Sequence, residues 1–358
     1  MWPILTEKAV QGAILTESYG NFGLDMQPEE FVRQTDPFRR ELLGHCYRML
    51  VSVHDAEDLV QETMLRAWRS YPEFDPGRAS MRTWLHRIAT NACLNALDSR
   101  SRRPLPSDLT GPGDLAEAPR RPVGRHAEIA WLQPFPDALL GSDALGTDAG
   151  GTADPATVVA ARDSIRLAFV AALQHLPARQ RAVLILRDVL AWRAAEVADL
   201  LEITAAAVNS ALQRARAQLQ EAAPSQEHPA RPADRAQREM ADRYVAAFVR
   251  ADIDALTRLL ADEVVLEMPP FLIWFRGRDG VAAFLAARAL AAPDRWRVLP
   301  VGANGQPAVG AYLRQPDGRH HAHSVQVFSA GAAGVTWIAA FAEPGLFPTF
   351  GLPLVYPG

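Results

Sequence analysis

Between residues 104 and 157 the chain reads PLPSDLTGPGDLAEAPRRPVGRHAEIAWLQPFPDALLGSDALGTDAGGTADPAT, and a compact helical domain cannot be built straight through such a stretch. Proline and glycine punctuate it, aspartate and serine favour turns, and its apolar residues keep no helical or strand period. It is expected to be a linker, which forces the patterned sequence on either side into separate bodies. Residues 28–103 show helical periodicity, starting after the proline of QPEEF and stopping before Pro104. Helical pattern returns over 158–221, breaks again at PSQEHPARP, and residues 235–350 mix helices with alternating strands. The expected architecture is multidomain, two all-α domains followed by an α+β domain, behind an N-terminal tail over 1–27.

Composition narrows the class. With 358 residues and 49% apolar content there is material for two or three buried cores. No window of 18 apolar residues occurs, and MWPILTEKAVQG lacks the basic, apolar and small-residue order of a leader, so a soluble cytoplasmic protein with no membrane association is expected. The net charge of −4 excludes a uniformly basic coat while allowing local basic patches. Cys46 and Cys93 sit in helical patterns away from ligand-like neighbours, which points to buried thiols rather than a metal site or disulfide framework. No cofactor is expected.

The segment HDAEDLVQETMLRAWRSY, residues 54–71, forms an amphipathic helix. Ala56, Leu59, Val60, Thr63 and Ala67 make the inward stripe, and Asp55, Asp58, Glu62, Arg66 and Arg69 share a flank. Gln61, Leu65 and Trp68 stand outside both, so large apolar groups are offered outward beside acids, as suits a protein partner; the plainer reading is a solvated face braced by Glu62 and Arg66. The next segment, FDPGRASMRTWLHRIATNACLNALDSRSRRP, places Trp84, Leu85, Ile88, Ala92 and Leu97 on an apolar side. Its polar side carries Arg78, Arg82, Arg87, Asn91, Asn95, Arg100, Arg102 and Arg103, with Asp98 as the one acid in the run. Arginines answer phosphates, and Trp or Asn near a turn can stack on or hydrogen-bond unpaired bases. A core tryptophan with a solvated basic helix end is the bland alternative.

Together these two segments resemble region 2 of a sigma factor of the extracytoplasmic-function (ECF) class within the sigma-70 family. The resemblance implies that the acidic helix docks on the clamp helices of RNA polymerase core enzyme through Asp58, Gln61, Glu62, Leu65 and Trp68. It implies further that Arg78, Arg82, Trp84, Arg87, Asn91, Asn95, Arg100, Arg102 and Arg103 meet the −10 element of promoter DNA.

An independent duplex-reading module stands in LQHLPARQRAVLILRDVLAWRAAEVADLLEITAAAVNSALQRARAQLQ, which reads as helices ending in a helix-turn-helix. Val197, Ala198, Leu201, Ile203, Val208, Leu212, Ala215 and Leu219 give its buried set, Glu202 to Thr204 the turn, and Thr204 an N-cap. The last helix turns Ala206, Asn209, Gln213 and Arg216 outward, with Ser210 and Arg214 on its shoulder, a set able to read base edges in a major groove. Placed here, the module resembles region 4, which in the family meets the −35 element and the polymerase flap. Asn209 and Ala211 stand where many members carry arginines, so the usual −35 sequence is not implied.

The C-terminal stretch runs from helices in REMADRYVAAFVRADIDALTRLLADEVVLEMPP and RGRDGVAAFLAARAL to strands in VLPVGANGQPAVGAYLRQPDG, HHAHSVQVFSA and GVTWIAAFAEPGLFPTFGLP. It resembles the SnoaL-like branch of the nuclear transport factor 2 fold, an α+β cone found in several actinobacterial members of the class, the sigma factor G type among them. Glu267, Trp274, Tyr312, His320, His321 and His323 are candidates to line a cavity in it for a small ligand. The HHAH cluster lacks the spacing of a zinc site, since only His321 and His323 share a strand face. In WLQPFPD the residues Trp131, Leu132 and Phe135 are expected to be exposed apolar groups, a docking peptide through which the cone regulates the helical domains. The expected function is that of an RNA polymerase sigma factor without chemistry of its own. The alternative is a one-component DNA-binding regulator or sensor whose SnoaL-like domain binds a small ligand.

Overall fold

The computed structural model describes residues 28–98, 102–113, 124–126, 128–140, 163–222, 234–290, 292 and 294–357. Two compact units emerge, one of Met1–Arg102 with Leu139–Ala222, the other of Arg103–Ala138 with Ala223–Gly358.

In the first unit, helices α1 (Pro28–Thr35), α2 (Arg39–Leu50), α3 (Val53–Ser70) and α4 (Met81–Asp98) form one bundle. Val51, with φ 47°, takes the left-handed conformation that ends α2, and the Ser52 hydroxyl accepts the Asp55 N–H at 3.2 Å to start α3. Leu42, Cys46 and Met49 of α2 meet Ala56, Val60, Met64 and Ala67 of α3 and Leu85, Ala89 and Cys93 of α4, all buried. The two cysteines are free thiols; their mutual hydrogen bond, then burial, pushes Cys93 far above its ordinary value.

A second helical group follows: α5 (Leu167–Leu173), α6 (Ala178–Leu184) running into a π turn over Ile185–Val189, α7 (Ala194–Leu201) and α8 (Ala205–Ala222). Glu202, φ 56°, closes α7, and the Thr204 hydroxyl accepts the Ala207 N–H at 3.1 Å to open α8. Val197, Ala198, Leu201, Val208, Leu212 and Ala215 are buried, while Ile203 and Leu219 are half-buried.

Buried arginines tie the two helical groups together. Arg48 of α2 donates to the Ser164 carbonyl at 3.3 Å and to its hydroxyl at 3.0 Å. Arg181 of α6 donates to the Met49 carbonyl, to Gln174 Oε1 at 3.0 Å and to the Leu176 carbonyl at 3.2 Å. Burial lowers both guanidinium groups to about 10, so they remain charged at neutral pH, and their several acceptors stand in for the lost water.

The second unit is a six-stranded sheet in the order β2-β1-β6-β5-β4-β3. Its strands are β1 (Leu260–Glu267), β2 (Trp274–Arg276), β3 (Trp296–Ala303), β4 (Gln306–Arg314), β5 (His320–Gly331) and β6 (Gly334–Phe341). Among the described residues only the β1–β6 pairing is parallel. Helices α9 (Asp234–Val249), α10 (Ile253–Leu259) and α11 (Arg278–Phe284) share its core, where Tyr244, Phe248, Phe284, Trp296, Phe328 and Ile338 pack together. The opposite sheet face receives the C-terminal segment: a Cβ on Gly310 would lie 2.4 Å from Leu352 Cδ1, so a larger residue there would push the Leu352 side chain aside.

The stretch read as a linker is corrected here. The described residues of 103–138 belong to the sheet unit, and of the expected linker 114–123, 127 and 141–157 lie outside the described residues. Trp131, Leu132 and Phe135 are 8%, 1% and 0% exposed, not offered to solvent as the sequence suggested. Phe135 and Asn304 clasp each other, the Phe135 N–H donating to Asn304 Oδ1 and the Asn304 N–H to the Phe135 carbonyl, both at 2.8 Å. Asp137 accepts the Gly305 N–H at 2.7 Å and crowds Gly302 so closely that a Cβ there would fall 2.3 Å from its carboxylate. The reason is elementary: three large apolar groups in a polar segment leave water by lying on the nearest sheet, and the peptide groups they bring along must be paired.

Candidate nucleic-acid and polymerase interfaces

The core side of α3 is Val53, Ala56, Val60, Thr63, Met64 and Ala67, which leaves Asp58, Gln61, Glu62, Leu65 and Trp68 along the opposite stripe. Asp58 is exposed; the other four are half-buried. Glu62 pairs with Arg66 at 2.6 Å. Trp68 is held edge-on against Phe31 of α1, with centroids 5.1 Å apart, so only part of its ring remains available. Leu59, assigned to the inward stripe from the sequence, is half-buried.

An aromatic chain then carries the fold toward α4: Tyr71 meets Phe74 at 5.9 Å, and Phe74 meets Trp84 at 4.8 Å. Trp84 is therefore half-buried against Phe74 at the turn, while Arg78 stands exposed before it. Arg87, Asn91 and Asn95 are exposed along α4. Arg82 makes a forked pair with Glu41 of α2, Nε lying 2.9 Å from Oε1, and its guanidinium lies 5.9 Å over the Trp192 ring. Arg87 donates to the Asp199 carbonyl of α7 at 2.6 Å. The sequence offered both to DNA; in the described chain each already has a protein partner. Arg102 lies 2.9 Å from His175 Nδ1, Arg103 donates to the Trp131 carbonyl at 3.0 Å, and Arg100 lies outside the described residues.

On α8 the side chains of Ala206, Asn209, Ser210, Gln213, Arg214 and Arg216 are all exposed on one side of the helix-turn-helix. Arg216 is engaged by a bidentate pair with Asp188 at 2.7 and 2.9 Å, which raises its pKa and leaves Asn209 and Gln213 as the uncommitted base-reading groups.

Comparison with known proteins accounts for this arrangement. Residues 36–103 match the family model for Sigma-70 region 2, residues 166–219 that for Sigma-70, region 4, and residues 241–340 that for the SnoaL-like domain. Along 348 residues the chain is 46% identical to the ECF RNA polymerase sigma factor SigG of Mycobacterium tuberculosis, covering 97% of this chain and 90% of the relative. The chain belongs to the ECF RNA polymerase sigma factors. It is also 29% identical to the ECF sigma factor SigJ of the same species over 71% of this chain and 72% of that one. The crystal structure of M. tuberculosis SigJ superposes with a TM-score of 0.58 at 24% identity, over 90% of this chain and 99% of that chain, and shares its fold. Among the described residues no helix is long and apolar enough to cross a membrane.

In this sigma factor the candidate cavity residues of the cone do not converge. Glu267 lies on the sheet face away from the aromatic core, where its carboxylate accepts the Ser107 N–H at 3.0 Å and the Trp337 Nε1–H at 2.9 Å. Trp274 donates to the Thr110 carbonyl at 2.8 Å, and Tyr312 packs edge-on against Phe347 and Tyr356. His321 meets Asp317 at 2.7 Å, His320 meets the Asp294 carbonyl at 3.1 Å, and His323 packs edge-on against Trp296. Burial, with Arg125 and Arg295 nearby, lowers His323 to about 4. The linker and C-terminal segments pair with the sheet, the Gly113 N–H donating to the Trp274 carbonyl at 2.7 Å and the Ala322 N–H to the Leu354 carbonyl at 2.8 Å. Among the described residues no cluster of three metal-ligating side chains occurs.

Sequence reasoning missed two features of the sigma regions. Arg66 and Arg69 of α3, read as the flank of an acidic helix, line a shallow concavity of about 320 Å³ with Ile88 and Asn91 of α4. His45 and His86, to which no role was assigned from the sequence, are fully buried neighbours with ring centroids 5.5 Å apart, and His86 lies 5.5 Å from Trp192. Burial lowers the pKa of both. Only their helical spacing toward the core could have signalled them.

Proposed function

We propose that this ECF sigma factor, a subunit that joins core RNA polymerase and directs where transcription starts, divides its work between two helix surfaces and restrains both in the free chain. The polymerase surface is the α3 stripe of Asp58, Gln61, Glu62, Leu65 and Trp68, acting on the clamp helices, with the α8 module reaching the flap. The −10 surface comprises Arg78, Trp84, Asn91, Asn95 and Arg100, joined by Arg82, Arg87, Arg102 and Arg103 once these four exchange protein partners for phosphates. The −35 surface is the exposed side of α8, where Asn209 and Gln213 read bases and Arg214 contacts backbone. The observation that carries this reading is the pair of opposed faces on α3, a fully buried stripe against one whose acids and apolar groups stay accessible.

The cone serves as a regulatory scaffold. It clasps the segment that leaves region 2, through Glu267, Asn304 and the buried Phe135, and thereby sets how much chain is free between regions 2 and 4. The reading is tested by reversing the charges at Asp58 and Glu62. Core polymerase should no longer co-purify with the double variant while its circular dichroism is unchanged, each lost charge-assisted contact being worth about 1.5–3 kcal/mol. Co-purification at the parent level would refute the assignment of this face.

A further inference from the structure

The interior of the cone is filled by Tyr244, Phe248, Trp296 and Phe328. Between α9 and α10 there is a hollow of about 220 Å³. The small side chains of Ala246, Ala247 and Ala255 leave it open, and Arg243, Arg250 and Arg258 stand around it. Arg243 on α9 and Arg250, directly after its last residue, are two helical turns apart. Asp252 accepts the Ala255 N–H at 2.9 Å, caps α10 and turns the chain back so that Arg258 faces them.

Several arginines of the unit carry carboxylate partners. Elsewhere in the unit Arg235 pairs with Glu239 and Arg278 with Asp262, both at 2.8 Å, and Asp294 serves both Arg297 and Arg314. Among the described residues no carboxylate pairs with Arg243, Arg250 or Arg258, although the exposed Asp242 and Asp254 lie on the same helices. Three guanidinium groups around one hollow repel one another until an anion enters, and their planar donor forks match phosphate oxygens. The volume falls below the roughly 300–1,000 Å³ of sites that enclose a whole small ligand, which fits a phosphate group rather than an entire nucleotide.

We propose that the α9–α10 hollow is a phosphate-binding site, its phosphate supplied either by a free phosphorylated metabolite or by the backbone of DNA. The test compares the full-length protein with the R250A/R258A double variant, whose positions are exposed, and with R250K/R258K, which keeps charge and loses the fork. Inorganic diphosphate is titrated calorimetrically into each. In parallel, each protein assembled with core polymerase is titrated by anisotropy against a long and a short promoter duplex across a salt series.

Binding of diphosphate by the parent, weakened at least tenfold in the alanine variant with an intermediate lysine variant, assigns the site to a free ligand. Absence of diphosphate binding, together with a salt slope on the long duplex reduced by about 1–2 in the alanine variant, assigns it to backbone phosphates. If the parent and both variants match in diphosphate affinity, duplex affinity and salt slope, the hollow binds no phosphate and the proposal is wrong. The DNA arm rests on the sigma-factor reading, but failure of that reading would appear as failure of the parent itself to assemble with polymerase, a result distinct from equal behaviour of parent and variants.

Discussion

Glu267 is 2% exposed and its carboxylate oxygens receive two different N–H groups, Ser107 from the segment leaving region 2 and Trp337 from β6. Glu267→Gln keeps the shape but offers one carbonyl oxygen and one NH2, so one of the two donors must face another donor. A buried donor left without a partner costs about 1–3 kcal/mol. At about 1.4 kcal/mol per tenfold, the segment should release roughly 5- to 150-fold more often. Hydrogen exchange in the full-length protein reads this directly, as faster exchange over residues 105–113 with little change at Val264 or Ile338 in the core. The pH dependence adds a second readout. Burial pushes the Glu267 carboxyl up, against the lowering effect of its hydrogen bonds. An acid raised in the folded state contributes stability that is fully present below the ordinary carboxylate value of about 4.3 and is lost as pH rises through the raised value. The stability difference between the parent and the glutamine variant should therefore be widest in acid and narrow as pH rises. Unchanged exchange at 105–113 in both Glu267→Gln and Glu267→Ala would show that this carboxylate does not hold the segment.

Further outcomes follow from the helical unit. Replacing Asn209 or Gln213 should change which −35 bases are tolerated, at about 1–3 kcal/mol for a specific base, whereas Arg78→Ala should weaken DNA binding evenly and lower the salt slope by about 1; competition binding against a base-randomised duplex separates the two. His45 and His86 are both lowered by burial, so their contribution to stability is fully present above the ordinary histidine value of about 6.5 and is lost as pH falls below it. Thermal unfolding followed from pH 8 to about 5 should show that loss, and His86→Phe should flatten it.

The helices were legible because their periods are strong and their caps are written locally: Thr204 and the buried positions of α7 and α8 stand where a helix-turn-helix demands them. What the wheel could not show was which distant residue arrives on an outward face. Trp68 reads as offered to solvent until Phe31, from a helix before it, covers its edge. Arg82 reads as a phosphate ligand until Glu41 appears beside it, and the two are joined only by the packing of α2 on α4. The linker was misread for a related reason. Its proline and glycine do exclude a helix, but they do not prevent an irregular segment from pairing its peptide groups with a sheet, as Phe135 does with Asn304. The candidate histidines and Glu267 were placed in a cavity by analogy of fold, whereas the groups that engage them, Ser107 and Trp337 for Glu267 and Trp296 for His323, come from segments distant in the sequence.

The contacts between regions 2 and 4 have a thermodynamic consequence for polymerase binding. While Arg87 donates to the Asp199 carbonyl and Arg48 to Ser164, the chain is held in a form in which part of the proposed −10 surface is occupied. If polymerase and promoter take only the separated form, apparent affinity falls in proportion to the fraction separated. Arg48→Met removes the buried guanidinium, which is 5% exposed, and fills its space with an unbranched apolar chain. Hydrogen bonds from a charged group are worth about 1.5–3 kcal/mol, so the closed form should lose on the order of 2 kcal/mol and the separated population should rise roughly 30-fold. Paired spin labels on Asn95 and Gln220, both exposed, should report a broader distance distribution, and affinity for core polymerase should increase by up to that factor. A variant that folds, keeps the parent distance distribution and binds polymerase with parent affinity would show that Arg48 is only a packing residue and that the closed unit places no restraint on assembly.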